Sequence, residues 1–364
     1  MRLAFLTELY HPSVGGQEVF FQELAEAMVR RGHSVDVYCI GHEPGLPPRE
    51  DLNGVQIWRG PNGGNYKHPL IPALRRNWFD IIRYSLHVRR IANAQGHDFY
   101  LLNEWPLMHA AVLPRKSREH GAIHWCEARG GPLFTSVQAT LPRLAGANFA
   151  ISAATAQTIS RQSGQPFTVL PSGIDCQRYR RLPRSQRSVV LYLGRLAEHK
   201  NLPLLIDAFG IATAQGLKGD LVIAGDGPAR ADIEAHAAGS PVAERIRMVG
   251  HVTEEGKIEL LSEAAVLAVP SRREGFPRVV AEAMASGTPV VTARFPDNGA
   301  KEIVAQYGIG VVCGTEAGEF AEGLFAAEAG WDDFSRAGIV GSASLDWDHV
   351  VATFEERIGE IVGR

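Results

Sequence analysis

Cysteine is scarce and unpatterned: Cys39, Cys126, Cys176 and Cys313 lie far apart, with no CxxC spacing. A disulfide framework or a zinc site needs paired spacing, so free thiols in a reducing compartment are expected. Long hydrophobic runs are absent too. Nothing approaches the roughly 18 apolar residues that a membrane-spanning helix requires. The first stretch, MRLAFLTELYHP, has too short an apolar run for a signal peptide. No sign of charge dominates, since 37 Lys and Arg stand against 40 Asp and Glu, a net charge of −3. That balance points to no nucleic-acid partner. There is no GKS or GKT of a Walker loop, no GxGxxG after an apolar run, no internal repeat and no low-complexity tract. What these absences leave is a globular protein of the cytoplasm.

What is present is alternation. At 364 residues, 45% hydrophobic and 21% charged, the chain suffices for two ordinary domains. LAFLTEL reads as a buried strand, then come a Gly-Gly turn, a helix VFFQELAEAMVRRG and a second strand, SVDVYCI. That is a β-loop-α-β unit, the mark of a parallel sheet covered by helices. The pattern restarts at SVVLYLGRL and runs through DLVIAGDG, IRMVGHV, VLAVPS, TPVVTA and GIGVVC. Each apolar run is short and ends in Gly, Ser or Pro, as buried parallel strands do. The expected division is a Rossmann-like domain over 1–168 and a second over 169–345. An amphipathic terminal helix over 346–364 completes the chain, and the hinge falls near VLPSGIDCQRYRRLPRSQRS.

Several turns carry charge where a ligand would want it. Gly15 and Gly16 open the first helix, so a phosphate could approach bare backbone there; taken alone, a plain tight strand-to-helix turn is the simpler explanation. Arg195 and Lys200 lie in GRLAEHKNL, between a strand end and a helix start, at the carboxyl edge where α/β sheets bind ligands. IAGDGPA, with Gly225, reads as another strand-to-helix turn. In EGFPRVVAEAMASG the segment turns into a helix at Pro277, a residue suited to the first helical position. Amides from Phe276 to Val279 would then face an anion or sugar hydroxyls. Glu274 precedes that helix and Glu282 lies within it, so both carboxylates can hold vicinal hydroxyls in one groove.

In order along the chain, GGQE, GRLxxxKN, AGDGP, VGHV and EGF with a second Glu eight residues on, followed by AMASGTPVV, resemble the retaining glycosyltransferases of family 4. The resemblance implies an α/β GT-B fold, two Rossmann-like domains with parallel sheets facing across an interdomain cleft. It implies transfer of a hexose-type sugar from a UDP- or GDP-sugar donor to an acceptor hydroxyl. Retention would follow from a front-face mechanism with no metal site and no separate cofactor. Carried over by residue, Gly15 and Gly16 offer backbone to the donor phosphate, and Arg195 and Lys200 hold the leaving diphosphate. His251 and Val252 lie where backbone holds the nucleobase, and Gly225 is a further donor-binding candidate. Glu274 contacts the transferred sugar, with Gly275, Phe276 and Pro277 beside it; Arg278 and Val279 lie near the phosphates, and Glu282 takes the ribose hydroxyls. The terminal helix is implied to cross back onto the first domain, the acceptor-binding one.

The sequence departs from the family in three places. PSGID stands for the usual PNGID, and EGFPRVV lacks the second glycine that usually follows EGF. In AIHWCEARGGP, Glu127 or Ala128 falls where many members carry a histidine beside the reaction centre. Glu127 and Arg129 are the active-site candidates from this stretch, with His124 read as a structural strand residue. The acceptor, whether sugar, lipid-linked or small-molecule, is not legible. PALRRNWFDIIRYSLHVRRIA mixes Arg75, Arg76, Arg83, Arg89 and Arg90 with Trp78, Phe79, Ile82 and Leu86. It fits either an ordinary surface helix or one lying on an anionic membrane, peripherally at its inner face. A nucleotide-sugar epimerase on the same fold and an inactive nucleotide-sugar-binding protein remain as alternatives.

Overall fold

A computed structural model describes residues 1–13, 15–62, 66 and 77–363. The chain forms two compact units, Met1–Gly173 with Trp347–Arg364, and Ile174–Asp346. Arg75 and Arg76 lie outside the described residues.

The first unit is built on strands β1 (Arg2–Leu6), β2 (Ser34–Gly41), β3 (Arg49–Leu52), β4 (Val55–Asn62), β5 (Phe99–Asn103), β6 (Gly121–Trp125), β7 (Ala147–Ala150) and β8 (Thr168–Val169). They form one sheet in the order β3-β4-β2-β1-β5-β6-β7-β8. All pairs are parallel except β3–β4, an edge hairpin that turns at Asn53 and Gly54. Both turn residues have positive φ, 54° and 83°, the backbone twist that a two-residue hairpin needs. Helices α1 (Gly16–Arg30), α2 (Trp78–Gln95), α3 (Leu107–Val112), α4 (Arg115–Glu119), α5 (Pro132–Thr140) and α6 (Ala153–Ser163) connect the strands. Alternate residues of β1 enter opposite cores, Leu3 and Phe5 on one side of the sheet and Ala4 and Leu6 on the other. That two-sided burial is why its strands read as continuous apolar runs.

The second unit repeats the plan with β9 (Val189–Leu193), β10 (Leu221–Ala224), β11 (Ile246–Gly250), β12 (Ala264–Val269), β13 (Arg273–Glu274), β14 (Val290–Ala293), β15 (Asp297–Asn298) and β16 (Gly310–Cys313). Its main sheet runs β11-β10-β9-β12-β14-β16, all parallel, and β13 pairs with β15 apart from it. The helices are α7 (Leu202–Ala214), α8 (Arg230–Ala238), α9 (Glu254–Glu263), α10 (Arg278–Ser286), α11 (Ala300–Tyr307), α12 (Ala317–Ala329) and α13 (Trp331–Ser342).

The last helix, α14 (Trp347–Val362), belongs to the first unit. Its stripe of Val350, Val351, Phe354, Ile358 and Ile361 is buried in the core under β1. Phe354 packs its ring on Phe5, Phe99 and Phe149. The division differs from the expected 168/169. Thr168 and Val169 are β8, hydrogen-bonded to β7, and Leu170 is buried in the first core, so the first unit extends to Gly173. Asp346 stays with the second unit: it pairs with Ile174, and its carboxylate receives the Cys176 amide at 3.1 Å. No helix among the described residues is long and apolar enough to cross a membrane.

Candidate active site

In the second sheet β9 is central, with β10 and β11 on one side and β12, β14 and β16 on the other. The order reverses between β9 and β12, and open α/β sheets bind ligands at the carboxyl ends of the strands flanking such a reversal. The two exit loops are stapled together there. Arg272 donates its amide to the His199 carbonyl at 2.8 Å, and Asn201 reaches the Pro270 carbonyl at 3.4 Å. Asn201 is left-handed, φ 56°, which ends a short turn over Glu198–Lys200 and starts α7. The result puts Lys200 Nζ 2.6 Å from Glu274 Oε1, to which Ser271 also donates at 2.7 Å.

Cations outnumber this carboxylate. His199 is held below its usual pKa, first by burial and then by Lys200, Arg273 and Arg195, against the single opposing charge of Glu274. Arg195 is exposed, and its carbonyl accepts the Tyr192 hydroxyl at 3.0 Å, which fixes the loop on β9. A site with Arg195, Lys200 and Arg273 around one glutamate attracts anions.

The EGFP segment is built for close backbone approach. Gly299 donates to the Glu274 carbonyl at 2.9 Å, and a Cβ on Gly299 would lie 2.2 Å from the Gly275 carbonyl oxygen. Asn298 locks this turn, donating to Thr292 and Ala293 and accepting from Ala300. Pro277 is the residue before α10 rather than its first helical residue, as expected from the sequence; its ψ of 101° is still extended, and α10 begins at Arg278. The first amides of a helix have no partner within it and carry the positive end of its dipole. Phe276 and Val279 are half-buried, packed on the core that α10 covers.

Glu282 is buried on α10, 4% exposed, and ion-paired to Lys257 Nζ of α9 at 2.8 Å. Burial lowers the Lys257 pKa, but Glu282 and Glu254 outweigh it and hold the ammonium above its usual value. Burial, then Glu282, push the Tyr179 hydroxyl up. Sequence reasoning missed Lys257 and Tyr179; the faint signal was one lysine in the otherwise acidic and apolar EEGKIELLSE. Glu274 and Glu282 thus sit in separate ion pairs.

Gly225 follows β10 with φ 140°, and its amide donates to Gly250 at 2.7 Å. A Cβ there would lie 1.8 Å from the Gly194 carbonyl oxygen, so only glycine lets these strand ends meet. His251, exposed, and Val252, half-buried, leave the end of β11 beside them. Asp226 is engaged locally, accepting from Gly227 and Arg230.

In the first unit the order reverses between β1 and β5. Gly15 caps α1 in extended backbone; Gly16 is exposed, and a Cβ on it would meet nothing within 4 Å. Packing therefore does not require glycine at 16. Glu127 and Arg129 form an ion pair after β6, and the Arg129 guanidinium lies 5.3 Å from the Phe134 ring centroid. His124 points into the core, stacked on Phe20 at 4.2 Å and donating to the Leu170 carbonyl at 3.0 Å. Burial lowers its pKa to about 4. Missed in the sequence was Glu104, buried directly after β5, whose carboxyl burial raises to about 8. Among the described residues no three His, Cys, Asp or Glu converge as a metal ion would require.

Two family models match, Glycosyltransferase Family 4 over residues 14–178 and Glycosyl transferases group 1 over residues 177–334. The GDP-mannose:cellobiosyl-diphosphopolyprenol alpha-mannosyltransferase of Komagataeibacter xylinus is 26% identical over all of this chain and 94% of its own length. Sucrose-phosphate synthase from Thermosynechococcus elongatus shares the fold with a TM-score of 0.79 at 19% identity, over 100% of this chain and 99% of that one. Anabaena HepE in complex with UDP and glucose gives a TM-score of 0.72 at 18% identity, over 99% and 100%.

Proposed function

Because the chain belongs to the glycosyltransferases of group 1 and family 4, with their GT-B fold, we propose that it moves a hexose-type sugar from a UDP- or GDP-sugar to an acceptor hydroxyl with retention. The observation that supports this most is the cation cluster of Arg195, Lys200 and Arg273 around Glu274, at the strand exits where the second sheet reverses. In this reading Arg195 and Lys200 hold the diphosphate, and their fixed charge stabilises it as the sugar–phosphate bond breaks with the electron pair leaving on phosphate. The anomeric carbon becomes oxocarbenium-like. The acceptor oxygen attacks from the face the phosphate leaves, and its proton passes to the departing phosphate oxygen. No metal ion is needed to carry the charge.

Glu274, steadied by Lys200 and Ser271, holds hydroxyls of the transferred sugar, with Gly275, Phe276 and Pro277 beside it. Arg278 and Val279 present the start of α10 to the phosphates. Glu282 takes the ribose hydroxyls, His251 and Val252 receive the base, and Gly225 lines the donor site beside them. On the first unit Gly15 and Gly16 admit the donor phosphate, and Glu127 and Arg129 serve the acceptor side. The named relative uses GDP-mannose and the HepE structure carries UDP; both bases stand as donors to test. A thermal-shift screen of UDP, GDP and their sugars, followed by donor hydrolysis without acceptor, tests the reading. Free epimerised sugar would favour an epimerase, and binding without turnover an inactive binding protein.

A lipid-linked acceptor at the cytoplasmic face of an anionic membrane is supported by α2. Its buried face is complete with Ile81, Tyr84 and Val88. Its outer face leaves Phe79 64%, Ile82 42% and Leu86 57% exposed, beside exposed Arg83, Arg89 and Arg90. Such a face suits the lipid interface.

A further inference from the structure

Glu104 is a buried carboxyl group with no part in the donor chemistry above. It follows β5 where the first sheet reverses order, and only 5% of it is exposed. Its Oε2 accepts the Cys126 amide, whereas Oε1 is buried and meets no partner among the described residues. A buried oxygen left unpaired is costly, and a bound hydroxyl relieves that cost. A small pocket opens over it, walled by Trp105, Trp125, Phe134 and Val137 with the Glu127–Arg129 pair.

Most of the other polar groups of this pocket are already engaged. Trp125 donates its indole N–H to Asn148 at 3.2 Å, and Arg129 is paired to Glu127. Gln138, the remaining polar side chain, bonds the Arg129 backbone on both sides. What this leaves for a ligand is an aromatic wall, the unpaired Glu104 oxygen, the Trp105 indole N–H and the outer edge of the half-exposed Glu127–Arg129 pair. Sugar rings present the complement, an apolar C–H face and a rim of hydroxyls. The adjacent Asn103 donates to Gln17 at 2.8 Å, tying this strand edge to the first turn of α1, directly after Gly15 and Gly16.

We propose that this pocket is an acceptor subsite for an uncharged, hydroxyl-bearing ring, with Glu104 Oε1 hydrogen-bonded to a ring hydroxyl and the ring's apolar face on the aromatic wall. Burial raises the Glu104 pKa to about 8; the Cys126 amide, Arg129 and the Glu127 amide oppose the rise, and the Glu127 carboxylate adds to it. Near neutral pH the group therefore keeps its proton and can donate as well as accept. With the Glu127–Arg129 pair neutral overall and Glu104 protonated, the pocket offers no net positive charge to repay the desolvation of a phosphorylated or carboxylated ring, which is disfavoured. Glu104 is thus a binding residue for a ring hydroxyl. This rests on the reading of the chain as a glycosyltransferase whose acceptor lies on the first unit.

The test is a titration of the full chain, by saturation-transfer NMR, with methyl glucoside, methyl mannoside, methyl galactoside and glucose 6-phosphate. At least one methyl glycoside should bind, with glucose 6-phosphate about tenfold weaker or more, because its phosphate loses hydration in a pocket without net positive charge. Glu104→Ala and Trp105→Ala should each weaken the glycoside about tenfold, and Glu104→Gln by no more than about threefold. UDP and GDP affinity, measured by calorimetry on the same samples, reports the second unit separately. Nucleotide binding absent from the wild type would sink the donor reading and leave the subsite standing. The subsite is overturned if no methyl glycoside binds, if the phosphorylated sugar binds tighter, or if Glu104→Ala binds as the wild type does. Should Glu104→Ala not fold, Trp105→Ala and the neutral-against-anionic comparison decide it.

Discussion

Lys200 and Glu274 face each other at 2.6 Å from the exits of β9 and β12, the two strands between which the second sheet changes direction. Both are mostly buried, with 19% and 12% of their side chains exposed. Such a pair resists loss of either member, because the survivor is left as an uncompensated charge.

The two halves of the pair should separate in kinetics. Lys200→Ala should lower donor turnover by about 10²-fold or more, the scale of a lost charge stabiliser, and weaken UDP or GDP binding. Glu274→Gln should lower turnover while leaving nucleoside diphosphate affinity equal or tighter, because Glu274 is assigned to the sugar. Equal loss of nucleotide binding in both variants would reject that division of labour.

Glycines 16 and 225 should fail in different ways. Gly225→Ala forces a side chain onto φ 140° and into the Gly194 carbonyl, and should destabilise the chain by roughly 3 kcal/mol. Gly16→Ala meets open space, so its melting temperature should match the wild type while transfer falls. Thermal melts beside initial rates check both, and unimpaired transfer by Gly16→Ala would remove Gly16 from the donor site.

Glu104 makes stability depend on pH. Its folded pKa is raised to about 8 from 4.5, so between those values the folded state holds a proton that the unfolded chain has lost. Its contribution is complete below about pH 4.5 and is lost as pH rises through about 8, at about 1.4 kcal/mol per unit. The Cys126 amide, Arg129 and the Glu127 amide act against the shift and the Glu127 carboxylate with it. Glu104→Gln should flatten the denaturation midpoint across this window; an unchanged profile would contradict the burial of a protonated carboxyl.

The outer face of α2 should partition to lipid. Flotation with vesicles containing anionic lipid should recover the protein, and Phe79→Ser with Leu86→Ser should abolish recovery without moving the melting temperature. Equal recovery with neutral vesicles would exclude a role for Arg83, Arg89 and Arg90.

Much of the parallel architecture was legible because strands buried on both faces must be apolar throughout, as VVLYL and AAVLAV are. The β3–β4 hairpin was not, because REDL at the sheet edge is half-exposed and polar. Pro277 was misplaced by one position since a proline suits both the cap and the first turn. The ordered glycines and charges of the second unit could be read at strand ends. The partners Lys257 and Glu104 could not, because which charges are buried together depends on packing between distant segments. A charged residue ending the apolar run FYLLN was the only trace of Glu104.

The most direct test is calorimetry of UDP- and GDP-sugars on the wild type, Arg195→Ala and Lys200→Ala. One donor should bind the wild type, and each variant should bind it at least about tenfold more weakly, as loss of a charged hydrogen bond to phosphate requires. Affinity for no such donor, or variants that bind it as the wild type does, would contradict the cation cluster as the donor site.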